Sequence, residues 1–525
     1  MKITLNFKKI VLYSVFGLYG ILLLLPVVHD PDTFWHIKLG EEIYTNKPFT
    51  NNITFTCENY LWINHSWLGS LIMYLLYSIG NLPLIHIFVG IVLVTGIWIN
   101  LKNIEIGLKI YNNKSLYEFF IKYKNVFYIF GFIIFLSLLN FFIGARPQIF
   151  NFLFVSIIIN IILNINIYLN WNKYIFVFFL SVLWINLHGG FIAGIALLFV
   201  AICLETFSLG KNVINDSKVE VVKKNLIVIK KYVYVIILML FGSLFNLFGP
   251  KIWEEIFNAI FSIENYIHII EWRELNLRTP IGYIYLFVFI YTIIISSYTR
   301  NFVLTFLNTF AGIIPFFSTR YMLMIMPILV ISCIVCTVQL VYTYKEHIIK
   351  YIKFLLYEFY TSLVLKNIII ILGNFLLFAI LFLKVNSWIN NLNNFNNYPL
   401  KAIQHIRNNI DNYSKLKFFN DYGWGGFLAL YVPEIKWFID GRMPTWNCNS
   451  IIDQKRNILY DYLVLDLILD ENKLEEIIQK YDINAAIVKN TSLPSKYLTK
   501  INWEVVYKDE ISVILLNRNR ILKTD

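Results

Sequence analysis

The chain has 525 residues, of which 58% are hydrophobic, 18% aromatic and only 15% charged. Soluble domains carry about 25% charged residues, so this composition excludes a water-soluble enzyme, a disordered chain and a nucleic-acid-binding protein. It predicts an α-helical polytopic membrane protein. In such a protein the basic excess behind the net charge of +12 indicates topology rather than a partner.

Apolar runs long enough to span a bilayer, about 20 residues each, recur along the chain. The first, residues 10–28, follows Lys2, Lys8 and Lys9, which places the N-terminus in the cytoplasm by the positive-inside rule. An apolar stretch at 67–79 is too short to span and is predicted to be an interfacial or re-entrant helix. The remaining spans are predicted at 82–100, 125–144, 148–169, 173–187, 190–209, 232–249, 281–298, 301–318, 321–344 and 367–386.

Lysine-rich connections agree with this order of crossings. Lysines cluster within 102–124, 211–231 and 345–366, which marks these connections as cytoplasmic. Residues 29–66 and 250–280 then become outer loops. This topology predicts a multi-pass membrane protein with its N-terminus inside.

The chain divides into a membrane part and a C-terminal part. Residues 1–386 are predicted to form a transmembrane domain of about eleven spans. Residues 387–525 are predicted to form an extracytoplasmic α/β domain, because the β-rich runs KLKFF, KWFID, AAIVK and ISVILL alternate with helical stretches such as NKLEEIIQKYD. Cys57 and Cys448 both fall outside in this topology and can pair if their Cα atoms approach within about 7 Å.

Polar side chains next to the spans collect at the predicted outer ends, although each costs about 2.5 to 3.5 kcal/mol at mid-bilayer. Capping or snorkelling explains any one of them. It does not explain why carboxylates, imidazoles and guanidiniums gather at one face while the inner turns hold lysines; a polar cavity opening outward does. The set comprises Asp30, Asp32, His36, His65, Arg146, Gln148, Asn186, His188, Asn246, Glu271, Arg273 and Arg320.

Asp30 and Asp32 flank a proline in the motif HDPDTFWHI. Two carboxylates at this spacing can share Mg²⁺ or Mn²⁺, with Asp30 and Glu271 as candidate metal ligands. Alternatively, one carboxylate acts alone as a general base. Asp30 also has a structural interpretation, as the cap of a helix that begins near Thr33.

Arg146 and Arg320 suit a phosphate, because a guanidinium binds phosphate with two parallel hydrogen bonds. His188, in the turn NLHGG, is a further candidate for this role. A carboxylate base on one side and a bound phosphate on the other suit the transfer of a group from a lipid phosphate to an acceptor hydroxyl. The lipid would enter sideways from the bilayer.

The chain resembles a broad group of bacterial polytopic proteins related to the GT-C glycosyltransferases. The motifs that carry the resemblance are, in chain order, HDPDTFWHIKLGEEI, NHSWL, ARPQ, WINLHGG, FNLFG, IIEW, NDYGWGGFLALY and KWFIDGR. The resemblance covers about residues 5–518. It implies a GT-C fold with a catalytic aspartate in the first outer loop, juxtamembrane helices and a C-terminal domain on the outer face. It also implies a polyprenyl-phosphate-linked sugar as donor.

A more distant similarity is to the catalytic subunits of oligosaccharyltransferases. Their first-loop aspartate motif is similar to Asp30-Pro31-Asp32, and their WWDYG acceptor motif is similar to FFNDYG at 418–423. Both tryptophans are phenylalanines here and an asparagine precedes Asp421, so we do not expect recognition of a glycosylation sequon. Asp421 and Tyr422 are expected to line the mouth of the cavity instead.

The remaining cavity-lining candidates are His36, His65, Gln148 and Asn186. The sequence Asp440-Gly441-Arg442 resembles a further signature of the family. A strand end followed by a glycine turn explains it equally well.

The leading hypothesis is an inverting membrane glycosyltransferase. Asp32, or Asp30, deprotonates an acceptor hydroxyl, while Arg146, Arg320 and His188 stabilise the departing lipid phosphate. The alternatives are a transporter and a non-catalytic lipid- or glycolipid-binding protein of the same fold. Transporters typically hold polar residues near the midplane, so the clustering at one face favours the enzyme.

Overall fold

The structure, a computed structural model, describes residues 17–26, 29–45, 51–58, 60–110, 113–165, 171–214, 219–299, 302–347, 363–392, 394–442, 458–468 and 471–518. The first helices are α1 (Pro31–Tyr44), α2 (Trp67–Ile110), α3 (Lys114–Leu139), α4 (Ile149–Asn164), α5 (Trp171–Leu187), α6 (Ile192–Ile214), α7 (Val219–Ser243), α8 (Lys251–Phe261) and α9 (Ile263–His268). They are followed by α10 (Pro280–Tyr298), α11 (Phe302–Ile313), α12 (Met322–Thr343), α13 (Leu363–Leu392) and α14 (Leu400–Asn409). The C-terminal elements are β1 (Phe418–Asn420), α15 (Gly425–Tyr431), α16 (Ile458–Leu467), α17 (Glu471–Lys480), β2 (Ala485–Lys489), α18 (Leu493–Lys500), β3 (Glu504–Lys508) and β4 (Ser512–Leu516).

The described part of the chain contains six helices that are long and apolar enough to cross a membrane, with three shorter apolar helices beside them. Each span predicted from residue 82 onward coincides with a helix. Residues 17–23 are helical within the first predicted span, 10–28, of which residues 10–16, 27 and 28 lie outside the described part of the chain. The chain therefore has the predicted fold class, a polytopic helical membrane protein with a small C-terminal α/β unit. Its orientation in the membrane and the domain boundary at residue 387 stay predictions.

Helix α2 contains both the predicted interfacial helix and the span that follows it. Gly80 (φ −144°, ψ 22°) and Asn81 (φ 51°, ψ −156°) leave the helical region between the two segments. Pro83 follows this break, and proline cannot donate the backbone hydrogen bond that would continue the helix. The kink lies where the sequence placed the boundary between 67–79 and 82–100.

Helix α7 begins earlier than predicted, at Val219 rather than at residue 232. Its first turns carry lysines, which the sequence analysis assigned to a connection. A helical backbone does not end where the apolar run ends, because long lysine side chains reach water from a helix end.

Helix α12 lies at the centre of the bundle and is the most buried of the candidate spans. It packs against α2, α3, α4, α10 and α11. The contact between α2 and α4 includes polar side chains. Asn100 Nδ2 donates to Ser156 Oγ at 2.8 Å, and Asn103 Nδ2 donates to the Ser156 carbonyl at 2.9 Å. Amide side chains that hydrogen-bond across helices fix the alignment of these two helices.

Helix α1 connects the helical bundle to the C-terminal unit. Asp30 caps it, accepting from the Asp32 backbone N–H at 3.0 Å, and Pro31 occupies its first turn. One side of α1 packs on α2, where Gly40 lies directly against the Ser70 carbonyl. The other side packs on α15, where Gly426 touches Trp35 and Pro31. The C-terminal unit is thereby held at the end of the bundle where α1 begins.

The C-terminal unit contains a four-stranded sheet in the order β1-β2-β4-β3. Strands β1 and β2 are parallel, and the other two pairs are antiparallel. Alternate residues face two different cores: Phe418, Ile487 and Ile514 join the core of the bundle. Phe419 and Leu515 join a second core, closed by α16, α17 and α18. Because both faces are buried, β2 and β4 read as continuous apolar runs.

The predicted strand KWFID is wrong, and the strand Glu504–Lys508 was not predicted. Trp437 makes only single bridges, to Thr54 and to Phe418. The buried Asn420 side chain forms the hydrogen bonds that a neighbouring strand would otherwise form with this segment. Its Oδ1 accepts from the backbone N–H groups of residues 438 and 439 at 2.9 and 3.3 Å. Its Nδ2 donates to the carbonyl of residue 439 at 2.9 Å. A side-chain amide that satisfies these backbone groups lets the chain turn away from the sheet.

Cys57 is disulfide-bonded, and Cys203, Cys333 and Cys336 are free thiols. Cys448 lies outside the described residues. The pairing of Cys57 with Cys448 therefore stays a prediction.

Replacing Asn420 by alanine removes the partner of three buried backbone groups. Each unsatisfied buried group costs about 1 to 3 kcal/mol, so we expect a clear fall in the melting temperature of the purified chain in detergent. Asn408→Ala, on the exposed side of α14, is the matched control and should leave the melting temperature unchanged. Equal melting temperatures for the two variants would contradict the role given to Asn420.

Candidate active site

Three distant parts of the chain meet at the end of the bundle beside the C-terminal unit. The start of α1 brings Asp30 and Asp32, and the turn between α3 and α4 brings Arg146. The loop between α9 and α10 brings Glu271. The site therefore depends on tertiary packing, since these residues are separated by more than a hundred positions.

The Arg146 guanidinium lies at the centre of this site and contacts three carboxylates. Its Nε lies 3.1 Å from Asp30 Oδ2, and its Nη1 donates to Asp32 Oδ2 at 2.6 Å. Its Nη2 donates to Glu271 Oε1. Gln148 lies beside the same group, with its amide oxygen oriented to accept from Nη2 at 2.9 Å and from Nε at 2.7 Å. The Arg146 side chain is only 12% exposed, so these contacts are shielded from water.

Two glycines make room for the carboxylates. A Cβ on Gly144 would overlap Asp30 Oδ2, so any larger residue would displace that carboxylate from Arg146. A Cβ on Gly441 would lie 2.8 Å from Asp32 Oδ1. The same Asp32 oxygen accepts from Trp35 Nε1 at 2.9 Å. The Asp32 carboxylate therefore lies between Trp35 of the same helix and the turn at Gly441 of the C-terminal unit.

That turn, Asp440-Gly441-Arg442, is itself fixed by a buried ion pair. The side chains of Asp440 and Arg442 are fully buried, with Nη2 of the arginine 2.6 Å from Oδ2 of the aspartate. Arg442 also donates to Asn51 Oδ1 at 2.7 Å and stacks over Trp62 at 5.3 Å. The turn joins the C-terminal unit to residues of the first predicted outer loop.

A small polar cavity of about 40 Å³ opens in front of Asp32 and Arg146. Seven of the predicted site residues line it together. Its walls are completed by aromatic, serine and C-terminal residues. The lining comprises Asp32, Trp35, His36, Trp62, His65, Ser66, Arg146, Gln148, His188, Arg320, Gly441 and Arg442.

Three histidines of this cavity are neutral at pH 7. Burial is the main cause that lowers the pKa of each histidine, and nearby positive charge lowers it further. The pKa of His65 falls to about 4, and the pKa values of His36 and His188 fall well below the usual value. The rings of His65 and His188 meet edge to face, with centroids 5.6 Å apart. Neutral imidazoles can accept or donate one hydrogen bond each, according to their tautomer.

The tautomer of His188 follows from its neighbours. Its Nδ1 accepts from the Gly190 backbone N–H at 3.0 Å and lies 2.9 Å from Asn151 Nδ2, which is also a donor. The ring proton is therefore on Nε2. His188 lines the cavity as a hydrogen-bond donor, which suits an anionic ligand.

Arg320 lies where the polar cavity meets a second, apolar groove. Its Nη1 lies 3.8 Å from Glu271 Oε2, a looser contact than those of Arg146, and its guanidinium stacks over Trp272 at 4.8 Å. The groove has a volume of about 420 Å³. It runs between α6, α8, α11 and α12 and is lined by aliphatic and aromatic side chains. His65, His188 and Arg320 line both spaces.

The pKa values of two carboxylates around Arg146, those of Asp30 and Glu271, shift in opposite directions. Burial raises the pKa of Asp30 to about 6, although Arg146 opposes this effect. Burial also tends to raise the pKa of Glu271, but Arg146 and Arg320 together lower it. Glu271 therefore stays ionised at pH values where Asp30 takes up a proton.

Other predicted site residues lie elsewhere. The Asn186 Oδ1 accepts from Trp67 Nε1 at 2.6 Å, and its Nδ2 donates to two backbone carbonyls, so it holds helix ends together. Asp421 caps a turn at the Gly423 N–H and pairs with Lys489 at 2.9 Å. Neither lines the polar cavity.

Tyr422 lies close enough to the cluster for the charges of Asp32, Asp440 and Glu271 to act on it. Burial is the main cause that raises the pKa of Tyr422 well above its usual value, and these carboxylates raise it further. It is a neutral phenol beside the acidic cluster.

Several residues of this site were not predicted as site residues. Trp35 follows Asp32 by one helical turn, and this spacing could have indicated the contact. Gly144 precedes the ARPQ motif, but nothing in the sequence indicates that a carboxylate from another segment fills the space above it. Gly441 and Arg442 belong to the Asp440-Gly441-Arg442 motif, which a strand end followed by a glycine turn explained as well as a functional role did.

The predicted Mg²⁺ or Mn²⁺ site does not fit this arrangement. Its proposed ligands, Asp30 and Glu271, both direct oxygens at the Arg146 guanidinium. Among the residues that the structure describes, no group of three or more His, Cys, Asp or Glu side chains is placed to hold a metal ion. The position between the carboxylates is taken by a side-chain cation.

Asp30→Asn tests the raised pKa. The Asp30 carboxyl has a folded-state pKa of about 6 against an ordinary value of 3.8, so the folded state binds its proton more tightly. Its contribution to stability is complete below the ordinary value and is lost as the pH rises through about 6. We expect the melting temperature of the wild type, relative to that of Asp30→Asn, to fall between these pH values. Asp411→Asn, at an exposed position, controls for the amide substitution, and parallel curves for wild type and Asp30→Asn would contradict the assignment.

Comparison with known proteins reveals similarity in structure but not in sequence. No protein-family model and no curated protein sequence matches the chain. A solved structure that is similar, with a TM-score of 0.55 and 11% sequence identity, is the archaeal oligosaccharyltransferase AglB from Archaeoglobus fulgidus in complex with an inhibitory peptide and a dolichol-phosphate. The alignment covers 92% of this chain and 70% of AglB. The chain therefore has a GT-C-like fold, as the resemblance implied, while the bacterial branch of that resemblance stays a prediction.

Proposed function

We propose that this chain is a membrane glycosyltransferase that moves a sugar from a polyprenyl-phosphate-type lipid to an acceptor hydroxyl. The observation that carries the proposal is the junction of an apolar groove with a polar cavity at Arg320, His188 and His65, with Asp32 in the same cavity. A polyprenyl-phosphate-linked sugar has a matching order of groups: an apolar chain for the groove, a phosphate for the junction and a polar sugar for the cavity side.

The groove suits an isoprenoid chain. Its walls combine small and branched apolar side chains from α6 and α12, including Ala193, Ala196, Val200 and Ile328. Such a surface binds by burial of apolar area, about 25 cal/mol per Å². A long lipid tail needs this kind of contact and no specific hydrogen bonds.

The junction suits the phosphate. Among the described residues, Arg320 forms one loose ion pair, with Glu271 Oε2 at 3.8 Å, whereas Arg146 contacts three carboxylates, so the charge of Arg320 is less neutralised. His188 adds an Nε2–H donor beside it. Both groups can stabilise the charge that develops on the departing phosphate.

Asp32 is the proposed general base of the transfer. The acceptor hydroxyl gives its proton to the Asp32 carboxylate, and its oxygen forms a bond to the anomeric carbon of the sugar. The bond between that carbon and the phosphate oxygen breaks, and the lipid phosphate leaves with the electron pair. Trp35 and Arg146 hold the Asp32 carboxylate in place through one contact to each oxygen. The attack and departure on opposite sides of the carbon would invert its configuration.

The structural neighbour supports the donor class, since its complex contains a dolichol-phosphate. We propose a hydroxyl acceptor rather than a peptide sequon, because Asp421 is committed to Lys489 and to a backbone turn here. We further propose that the site faces the outside of a bacterial cytoplasmic membrane. The lysine-rich connections at the other ends of the helices support that orientation.

Asp32→Asn should abolish transfer. A positioned general base contributes about 10² to 10⁴-fold, so we expect at least a hundredfold loss in the release of polyprenyl phosphate from a polyprenyl-phosphate-linked hexose by the purified full chain. Asp411→Asn, at an exposed position, should retain the wild-type rate. Full activity in an Asp32→Asn protein that inserts normally would rule out Asp32 as the base; lipid binding without turnover in the wild type would favour the non-catalytic alternative.

Ala196→Trp should obstruct the groove. The indole would displace about one isoprene unit, which at about 0.8 kcal/mol per CH₂ weakens the binding of farnesyl phosphate by at least about tenfold. Phe199→Trp, on the same helix at a side chain that is 62% exposed, is the matched control. Binding that is measured by isothermal titration and is equal in both variants would mean that the lipid lies elsewhere.

A further inference from the structure

Asp30, Asp32 and Glu271 each direct an oxygen at a different nitrogen of the same buried guanidinium, that of Arg146. Carboxylates that converge in this way repel one another unless a cation lies between them. In protein sites the cation is commonly a divalent metal held by acidic side chains. Here the position is filled by a side chain of the same chain, Arg146.

We infer that the Arg146 guanidinium takes the place of a divalent cation in this site, so that the chain orients its base without a metal. The inference about catalysis rests on the proposed function, but the occupancy of the position by Arg146 does not. Each nitrogen of the guanidinium that carries a proton faces a different carboxylate, Nε toward Asp30, Nη1 toward Asp32 and Nη2 toward Glu271. A planar fork with fixed donor directions is suited to three separate partners.

The surroundings are shaped for this arrangement. Gly144, two positions before the arginine, leaves the space that Asp30 Oδ2 occupies. Gln148 supplies an amide oxygen to the same guanidinium nitrogens. Neutral and acidic acceptors therefore surround Arg146 closely, as ligands would surround a metal ion.

The division of roles between the two arginines follows from their partners. Arg146 is a positioning residue: its charge is already shared among three carboxylates, and it does not line the apolar groove. Arg320 lines the groove and the cavity and is the cation that faces the donor phosphate. The two arginines, to which the sequence analysis assigned the same phosphate-binding role, thus have different roles: Arg146 is a structural cation and Arg320 is a ligand-binding cation.

The test is whether a metal ion can enter only when the guanidinium is removed. Mn²⁺ binding to the purified full chain is measured by electron paramagnetic resonance for wild type, Arg146→Met and Arg146→Lys. Methionine keeps much of the side-chain volume but leaves the three carboxylates without a cation, whereas lysine keeps a positive charge. We expect the wild type and Arg146→Lys to bind no Mn²⁺ at this position and Arg146→Met to bind about one Mn²⁺ per chain.

A wild type that binds one Mn²⁺, lost in Glu271→Gln, would overturn the inference. An Arg146→Met protein that folds, as judged by its elution and melting temperature, and still binds no Mn²⁺ would also overturn it. If Arg146→Met does not fold, the wild-type measurement decides alone: bound Mn²⁺ refutes the inference and its absence supports it.

The activity arm separates this inference from the proposed function. In the assay for polyprenyl-phosphate release, the wild-type rate should be the same with EDTA and with Mn²⁺, while Mn²⁺ should restore part of the rate to Arg146→Met. A wild type that loses its activity in EDTA would overturn the inference and leave the glycosyltransferase proposal intact. A wild type without transferase activity would overturn the proposed function, while the Mn²⁺ binding results would still decide the occupancy of the site.

Discussion

The contact on which the site depends is the ion pairing of one buried guanidinium with carboxylates from two separate loops. Arg146 follows α3, whereas Asp32 opens α1 and Glu271 follows α9. A buried arginine without partners would carry a large desolvation cost, and so would the carboxylates without the arginine. Each segment is therefore stable in its position only when the others are in place. This mutual requirement links the packing of the loops to the geometry of the site.

The C-terminal unit contributes to the same site through packing. Gly441 lies against Asp32, and Arg442 forms its buried pair with Asp440 while it binds Asn51 of the first predicted outer loop. The unit therefore closes one wall of the cavity and is more than an appended domain. The inner strands of its sheet are buried on both faces, one against the bundle core and one against the unit's own helices.

The separation of apolar and polar ligand contacts follows from the same architecture. Membrane helices supply the groove because their exposed surfaces are already apolar, and the loops supply the charges because charged groups are costly within the bilayer. Arg320 stands at the boundary between the two, at the start of α12. A lipid with a charged headgroup meets both environments at once, and this coincidence is the basis of the proposed function.

Much of the helical fold could be predicted from the sequence, because a run of apolar residues has one stable backbone conformation in lipid. The break at Gly80 and Asn81 and the cap at Asp30 also follow from local rules. The C-terminal strands were less predictable. The segment around Trp437 has the pattern of a strand, but the Asn420 side chain takes its backbone hydrogen bonds, and that contact lies between residues far apart in sequence.

The sequence by itself determined the helical membrane class, the approximate positions of the spans and the gathering of polar residues at helix ends, since all of these follow from local hydropathy and charge. Only the tertiary structure decided which of those polar residues meet. It brought Asp32, Arg146, His188 and Arg320 to one cavity, and it gave Asn186 and Asp421 structural partners instead. The physical reason is that an ion pair or a cavity wall requires atoms within a few ångströms, and one-dimensional spacing does not encode which helix ends are neighbours.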